Sequence, residues 1–176
     1  MPAVGAARPR RAVLLDFDDE ADARQWTVVN DVVMGGLSRS AFEQADPGIA
    51  RFRGVVSLEN SGGFASVRTA PRGWNCSGAS AFVLRVLGDG HTYKFTLRID
   101  DGFDGVQYQS RFKPAAGEWQ EARLAVASFT ATFRGRSVPG TAPLDPARVR
   151  ALGLMISDKQ AGPFELLVDW IAVETG

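Results

Sequence analysis

An all-β fold follows from three features of the sequence. Helical periodicity is almost absent, apolar residues alternate with polar ones or come in short runs, and turn residues break the pattern about every ten residues. Together these describe a β-sandwich or barrel of short strands.

The strands read in order as AVLLDF (12–17), AFEQA (41–45), IARFRGVVSL (49–58), FASVRTA (64–70), AFVLRVLG (81–88), TYKFTLRI (92–99), VQYQSRF (106–112), WQEARLAV (119–126), VRALGLMIS (149–157) and PFELLVDWIAVE (163–174). DEADARQW (19–26) reads as one helical turn, and LDPARVRAL (144–152) starts with a second before its strand. The sharpest local pattern is a hairpin in which Tyr93, Phe95, Leu97 and Ile99 face Phe112, Tyr108 and Val106 across one apolar side. Its other side sets Arg98 opposite Gln107, Thr96 opposite Gln109 and Lys94 opposite Arg111. Like charges in register destabilise a ladder. Three readings accommodate them: long side chains splayed into solvent, acidic neighbours from an adjacent strand, or a ligand-facing sheet.

Composition bounds the rest. The 176 residues suit one domain, read as 13–176 behind a flexible leader at 1–12. With 45% apolar and 23% charged residues the chain is globular, and equal counts of basic and acidic residues, 20 each, give no bulk attraction to nucleic acid. No window approaches the ~20 apolar residues a membrane-spanning helix needs. The single cysteine, Cys76, excludes an intrachain disulfide and reads as a small buried or loop residue.

Catalytic options are thin. The lone histidine, His91, lies in the turn-like GDGHTY, and no nucleophile elbow is present. VMGGLS matches neither phosphate-binding glycine pattern, and DDGFDG fails as an EF-hand because Gly102 and Arg111 fall where ligands belong. A structural calcium ion remains conceivable if the terminal strands pair and bring Asp16 or Asp18 to Asp169; no other cofactor is expected. Of four tryptophans, Trp26, Trp119 and Trp170 sit in apolar patterns and read as core, while Trp74 in APRGWNCSG is the candidate for exposure.

The stretch WTVVNDVVMGGLSRS (26–40) is similar to the N-terminal signature of the complex I intermediate-associated protein family. FRGVVSLENSGGFASVR, YKFTLRIDDGFDGVQYQSRF, WQEARLAVASFTATFRGRSV and ALGLMISDKQAGPFELLVDWI continue the likeness in order, covering almost everything from Leu14 to Val173. The resemblance implies a galactose-binding-like jelly roll, architecturally akin to carbohydrate-binding modules. It implies an assembly or binding role beside NADH:ubiquinone oxidoreductase, with no catalytic residues. The chain is little more than the bare domain, so a prokaryotic-type cytoplasmic copy is expected, with a mitochondrial one as the alternative.

On that basis Gly35 and Gly36, and likewise Gly62 and Gly63, are expected to make tight turns, with Asn30 and Asp31 bonding exposed backbone amides. Those loops would carry Asn30, Asp31, Ser38 and Asn60 toward a sheet bearing Ser66, Arg68, Arg98, Gln109 and Arg111. The expected function is capture of a protein partner, a respiratory-complex subunit or assembly intermediate, with Trp74 as a rim anchor. The alternative is a glycan bound on the same face.

Overall fold

A computed structural model describes residues 8–30, 36–102 and 104–176, with Ser61 described by its backbone alone. The elements run β1 (Arg10–Leu15), α1 (Glu20–Arg24), β2 (Trp26–Val28), β3 (Arg39–Asp46), β4 (Ile49–Val56), β5 (Ala65–Thr69), β6 (Ala79–Leu87), β7 (Tyr93–Arg98), β8 (Gln107–Phe112), β9 (Trp119–Ala125), β10 (Thr130–Phe133), β11 (Arg136–Ser137), β12 (Ala151–Ile156) and β13 (Gly162–Thr175). They form two antiparallel sheets. One has the order β3-β4-β13-β6-β9 with β1 also on β13, and the other β11-β10-β8-β7-β12-β5-β2.

The expected hairpin register is observed: Tyr93 opposes Phe112, Lys94 Arg111, Thr96 Gln109 and Leu97 Tyr108. Strict alternation specifies it, because a one-residue slip would turn every apolar side chain to the wrong side. Ile99 and Val106 lie past the end of this ladder and pack against the core. Tyr93, Phe95 and Leu97 of β7 join Leu152, Leu154 and Ile156 of β12 in the core, facing Phe52, Phe82, Leu84, Phe164 and Leu166 of the other sheet. Ring contacts cross the interface, Phe82–Phe95 at 5.6 Å and Tyr93–Phe164 at 6.4 Å.

Both helical turns appear, each started by an aspartate. Asp19 accepts from the Ala21 N–H at 2.9 Å to begin α1, and Asp145 accepts from the Ala147 N–H at 3.0 Å before the 3-10 turn Pro146–Arg148. Strands β2, β10 and β11, with three, four and two residues, were too short to show a period. β1 starts at Arg10, inside the expected leader, since Arg10 to Val13 pair with Thr175 to Ala172.

β13 contains an instructive irregularity. Phe164, Leu166 and Val168 point inward, but so do Ile171 and Val173, so the parity flips between them. The register to β6 shifts between Val168 and Trp170, which makes Asp169 the extra residue of a bulge.

β12 carries Gly153 on the outer side, opposite both Thr96 and Arg68. A Cβ there would lie 2.2 Å from Thr96 Oγ1 and 3.0 Å from the Val67 carbonyl oxygen. Gly153→Ala is therefore expected to cost about 1–3 kcal/mol, the usual range for overpacking. Urea titration should show a lower midpoint at unchanged slope; an unchanged midpoint would mean the sheet yields freely there.

Candidate functional site

The alternates to the core residues form the outer side of the seven-stranded sheet. Register places Thr130, Gln109, Thr96, Gly153, Arg68 and Thr27 in one row across six strands. Arg111, Lys94, Met155 and Ser66 form the next row, and Arg98 lies opposite Ala151. Ser66, Arg68, Arg98, Gln109 and Arg111 thus share one side, as expected. This side is sheltered: Lys94, Thr96, Arg98, Gln109 and Thr132 keep only 3–9% of their surface exposed.

The Lys94–Arg111 pair is resolved by an acid. Asp158, in the turn after β12, accepts from Lys94 Nζ at 3.3 Å and from Arg111 Nε and Nη2 at 3.2 and 3.3 Å. Lys94 also donates to Ser157 Oγ at 2.6 Å. Of the three readings the acidic neighbour holds, and Arg111, expected to face a partner, is paired with Asp158 while its side chain stays 57% exposed. The Arg111 hydrogen bond, followed by the nearby Lys94 charge, holds the Asp158 carboxyl below the usual range despite partial burial.

Arg68 and Arg98 have a different setting. They line a recess of about 260 Å³ whose other walls include Thr27, Val29, Pro71 and the Asp100–Gly102 turn. Arg98 Nη2 donates to Asp100 Oδ1 at 3.0 Å, while Arg98 Nε is buried with no hydrogen-bond partner. Burial, then the charge of Arg98, makes the protonated form of Arg68 less favourable than usual. The loop rejected as a calcium site is fixed by cations of the protein itself: Asp100 to Arg98, Asp101 to Arg150 at 2.6 Å, and Asp104 to Arg134 at 2.6 Å. Asp100, Asp101 and Arg150 were missed as site residues, although Arg98-x-Asp100 at a strand end was a visible signal.

Several expected residues serve the fold instead. Asn30 Oδ1 accepts from Ser40 Oγ at 2.8 Å and the Ser66 N–H at 3.3 Å, so it ties β3 of one sheet to β5 of the other. Ser66 Oγ donates to the Val29 carbonyl oxygen. Ser38 is fully buried, its Oγ accepting from the Ser57 N–H at 3.0 Å. Asn60 is exposed in a left-handed conformation at φ 53°, away from any recess described above. Gly62 closes the turn on the Glu59 carbonyl at 2.9 Å, and Gly63, at φ 138°, fits a turn-making role. Gly36 is buried, while Asp31 and Gly35 lie outside the described residues.

Trp74 requires correction. It is 6% exposed and belongs to the core, with the Arg72 guanidinium stacked 3.7 Å from its ring centre, so it is no rim anchor. Trp26 is buried as expected, but Trp119 and Trp170 are half-buried on the outer side of the other sheet beneath Arg85 and Arg11. Two of the carboxylates considered for calcium have partners within the protein. Asp16 Oδ1 accepts from the Asp18 N–H at 3.1 Å, and Asp169 pairs with Arg85 at 3.2 Å. Among the described residues no group of three or more metal-binding side chains forms.

His91 Nδ1 lies 2.9 Å from Asp89 Oδ2, and Asp89 also accepts from the Glu165 N–H and the Tyr93 hydroxyl. This acid therefore pins the β6–β7 turn to β13. Burial pushes the Cys76 thiol up to about 12, leaving it protonated at neutral pH. A larger trough, about 610 Å³, crosses the other sheet between Arg39, Arg53, Val55 and Phe164. It is shallow, and two of its charged residues are engaged internally, Arg53 with Glu43 and Asp89 as described. The smaller recess is the better candidate because a buried donor remains unused there.

The fold is a jelly-roll β-sandwich of the kind found in carbohydrate-binding modules. A family 11 carbohydrate-binding module from Clostridium thermocellum superposes with a TM-score of 0.70 over 97% of this chain and 98% of that one, at 16% identity. The family model described as Complex I intermediate-associated protein 30 (CIA30) matches residues 15–168, and the chain belongs to that family. It is 28% identical to the mouse mitochondrial protein of that name, over 93% of this chain and 56% of the relative. The Drosophila melanogaster mitochondrial protein is 25% identical over 92% of this chain and 62% of its own length. The chain thus spans little more than half the length of these relatives. Their mitochondrial location overturns the expected cytoplasmic placement. No helix among the described residues is long and apolar enough to cross a membrane.

A pH test follows from Asp158. A carboxyl with a depressed folded-state value stabilises fully above its ordinary value of 3.8, and that stabilisation is lost as pH falls through the depressed value. Thermal melts from neutral to strongly acidic pH should therefore show a shallower acid decline for Asp158→Asn than for wild type. Parallel declines would mean that Asp158 contributes nothing to acid sensitivity.

Proposed function

We propose that this chain is a non-catalytic binding module of mitochondria that holds a protein partner during complex I assembly, on the outer side of the seven-stranded sheet. The observation that carries this reading is the convergence of Arg68, Arg98, Thr27 and Gln109 on one sheltered side beside a recess. Guanidinium forks match planar carboxylates and carbonyls, and an amide such as Gln109 offers both donor and acceptor. The relatives are named for association with complex I intermediates, which agrees in kind.

Catalysis finds little support. His91 leans on Asp89 with no nucleophile in contact, and Cys76 is buried and protonated. A glycan site on this side would want aromatic platforms. The described strand residues there are Thr, Ser, Arg, Lys, Gln, Ala, Gly and Met, so the glycan reading ranks second.

Affinity capture from mitochondria of the native cell tests the proposal. Wild type should co-purify complex I subunits, and Arg68→Glu with Gln109→Glu should reduce the yield by about tenfold or more, since reversing an interface charge is costly. An unchanged thermal midpoint would show the variant folded. Equal recovery with both proteins would exclude this side as the interface.

A further inference from the structure

Three arginines of this protein hold a carboxylate through Nε and Nη2 together, and the buried Arg98 differs from them. Arg111 grips Asp158 through Nε and Nη2 at 3.2 and 3.3 Å. Arg150 grips Asp101 through the same edge at 2.6 and 3.4 Å, and Arg51 holds Glu43 likewise at 3.3 and 2.9 Å. Arg98 uses only half of that edge. Nη2 meets Asp100 Oδ1, and Nε meets nothing. It is also the most buried of the four, with a side chain 6% exposed. A buried charged donor left without an acceptor is costly, and such groups in folded proteins call for an explanation.

The geometry around Arg98 supplies one. Asp100 leaves the edge half filled: the oxygen it gives to Arg98 Nη2 also accepts from the Gly102 N–H at 3.0 Å, and neither of its oxygens bonds Nε. Its side chain is 55% exposed, so it can move without disturbing the core. A Cβ at Gly105 would lie 3.0 Å from Arg98 Nη2, so the glycine keeps that side of the guanidinium clear.

We propose that the recess is a carboxylate-binding subsite in which Asp100 is an internal stand-in, displaced when an acidic side chain of a partner protein takes the whole Nε–Nη2 edge of Arg98 beneath Arg68. The present occupant of the edge is itself a carboxylate, which favours a planar two-oxygen acceptor over other anions. The neighbouring Arg68 charge, disfavoured by burial and by Arg98, would gain from the added anion. This subsite rests on the reading that the sheet side binds protein.

Fluorescence anisotropy with a labelled hexaglutamate peptide tests it on the full chain, with hexaglutamine as the uncharged control. Asp100→Ala should tighten hexaglutamate binding by about tenfold, the worth of a charge-assisted hydrogen bond, by freeing the edge. Arg98→Lys, which keeps the charge but loses Nε, should weaken binding by a similar factor; Arg68→Gln serves if near-UV circular dichroism shows that variant misfolded. Asp104→Ala removes the same charge from the same loop without uncovering Arg98, and should change affinity less than about twofold. If Asp104→Ala tightens binding as much as Asp100→Ala, or if Asp100→Ala weakens it, the subsite is overturned. Should complex I capture depend on Arg68 and Gln109 while hexaglutamate binding ignores Asp100 and Arg98, the subsite fails and the wider reading stands. The converse pattern retains the subsite and rejects the partner assigned to it.

Discussion

Aromatic packing between the sheets is the constraint from which the rest follows. Tyr93 and Phe95 from one sheet meet Phe52, Phe82 and Phe164 from the other, with Phe112 stacked on Tyr93 and Phe129 set edge-on to both Phe82 and Phe95. Such rings bury large apolar areas and tolerate little displacement in a close-packed interior. Because side chains alternate across a strand, fixing Tyr93, Phe95 and Leu97 inward forces Lys94, Thr96 and Arg98 outward. The polar side of the sheet is therefore a geometric consequence of the core.

What that side does with its charges differs along its length. At one end Lys94, Arg111 and Asp158 close a local network, with Ser157 taking another ammonium proton. At that end every cation already has an internal acceptor. At the other end Arg68 and Arg98 lie on either side of β12, whose Ala151 and Gly153 leave space between them. Three acids of the following loop are each bound to a different arginine, two of them, Asp100 and Asp101, in the wall of the recess. With Asp101 and Asp104 bracing the loop and only Asp100 having to move, an incompletely used cation there suits recognition, because little ordering remains to be done on binding.

The sequence disclosed the fold wherever one physical rule dominated. The β7–β8 register was readable because alternation over six residues on each strand leaves a single pairing that buries every ring. The gathering of Ser66, Arg68, Arg98, Gln109 and Arg111 followed from the same rule. Its failures came from partners distant in the chain. Nothing local to Arg111 announces Asp158, which reaches it only because β12 lies against β7. Trp74 sits among loop residues, yet the core claims it. Asp169 looked like a ligand because its role as a bulge residue depends on the register to β6. Asn30 was readable as an amide-bonding residue, but not as a link between the two sheets.

Site-specific photocrosslinking in intact mitochondria addresses the central claim most directly. A photoreactive residue at Thr27 or Gln107, on the outer side of the seven-stranded sheet, should form adducts with a component of a complex I assembly intermediate. The same residue at Glu121, on the outer side of the other sheet, should not. Adducts formed from Glu121 and absent from Thr27 and Gln107 would place the interface on the wrong sheet and contradict the account.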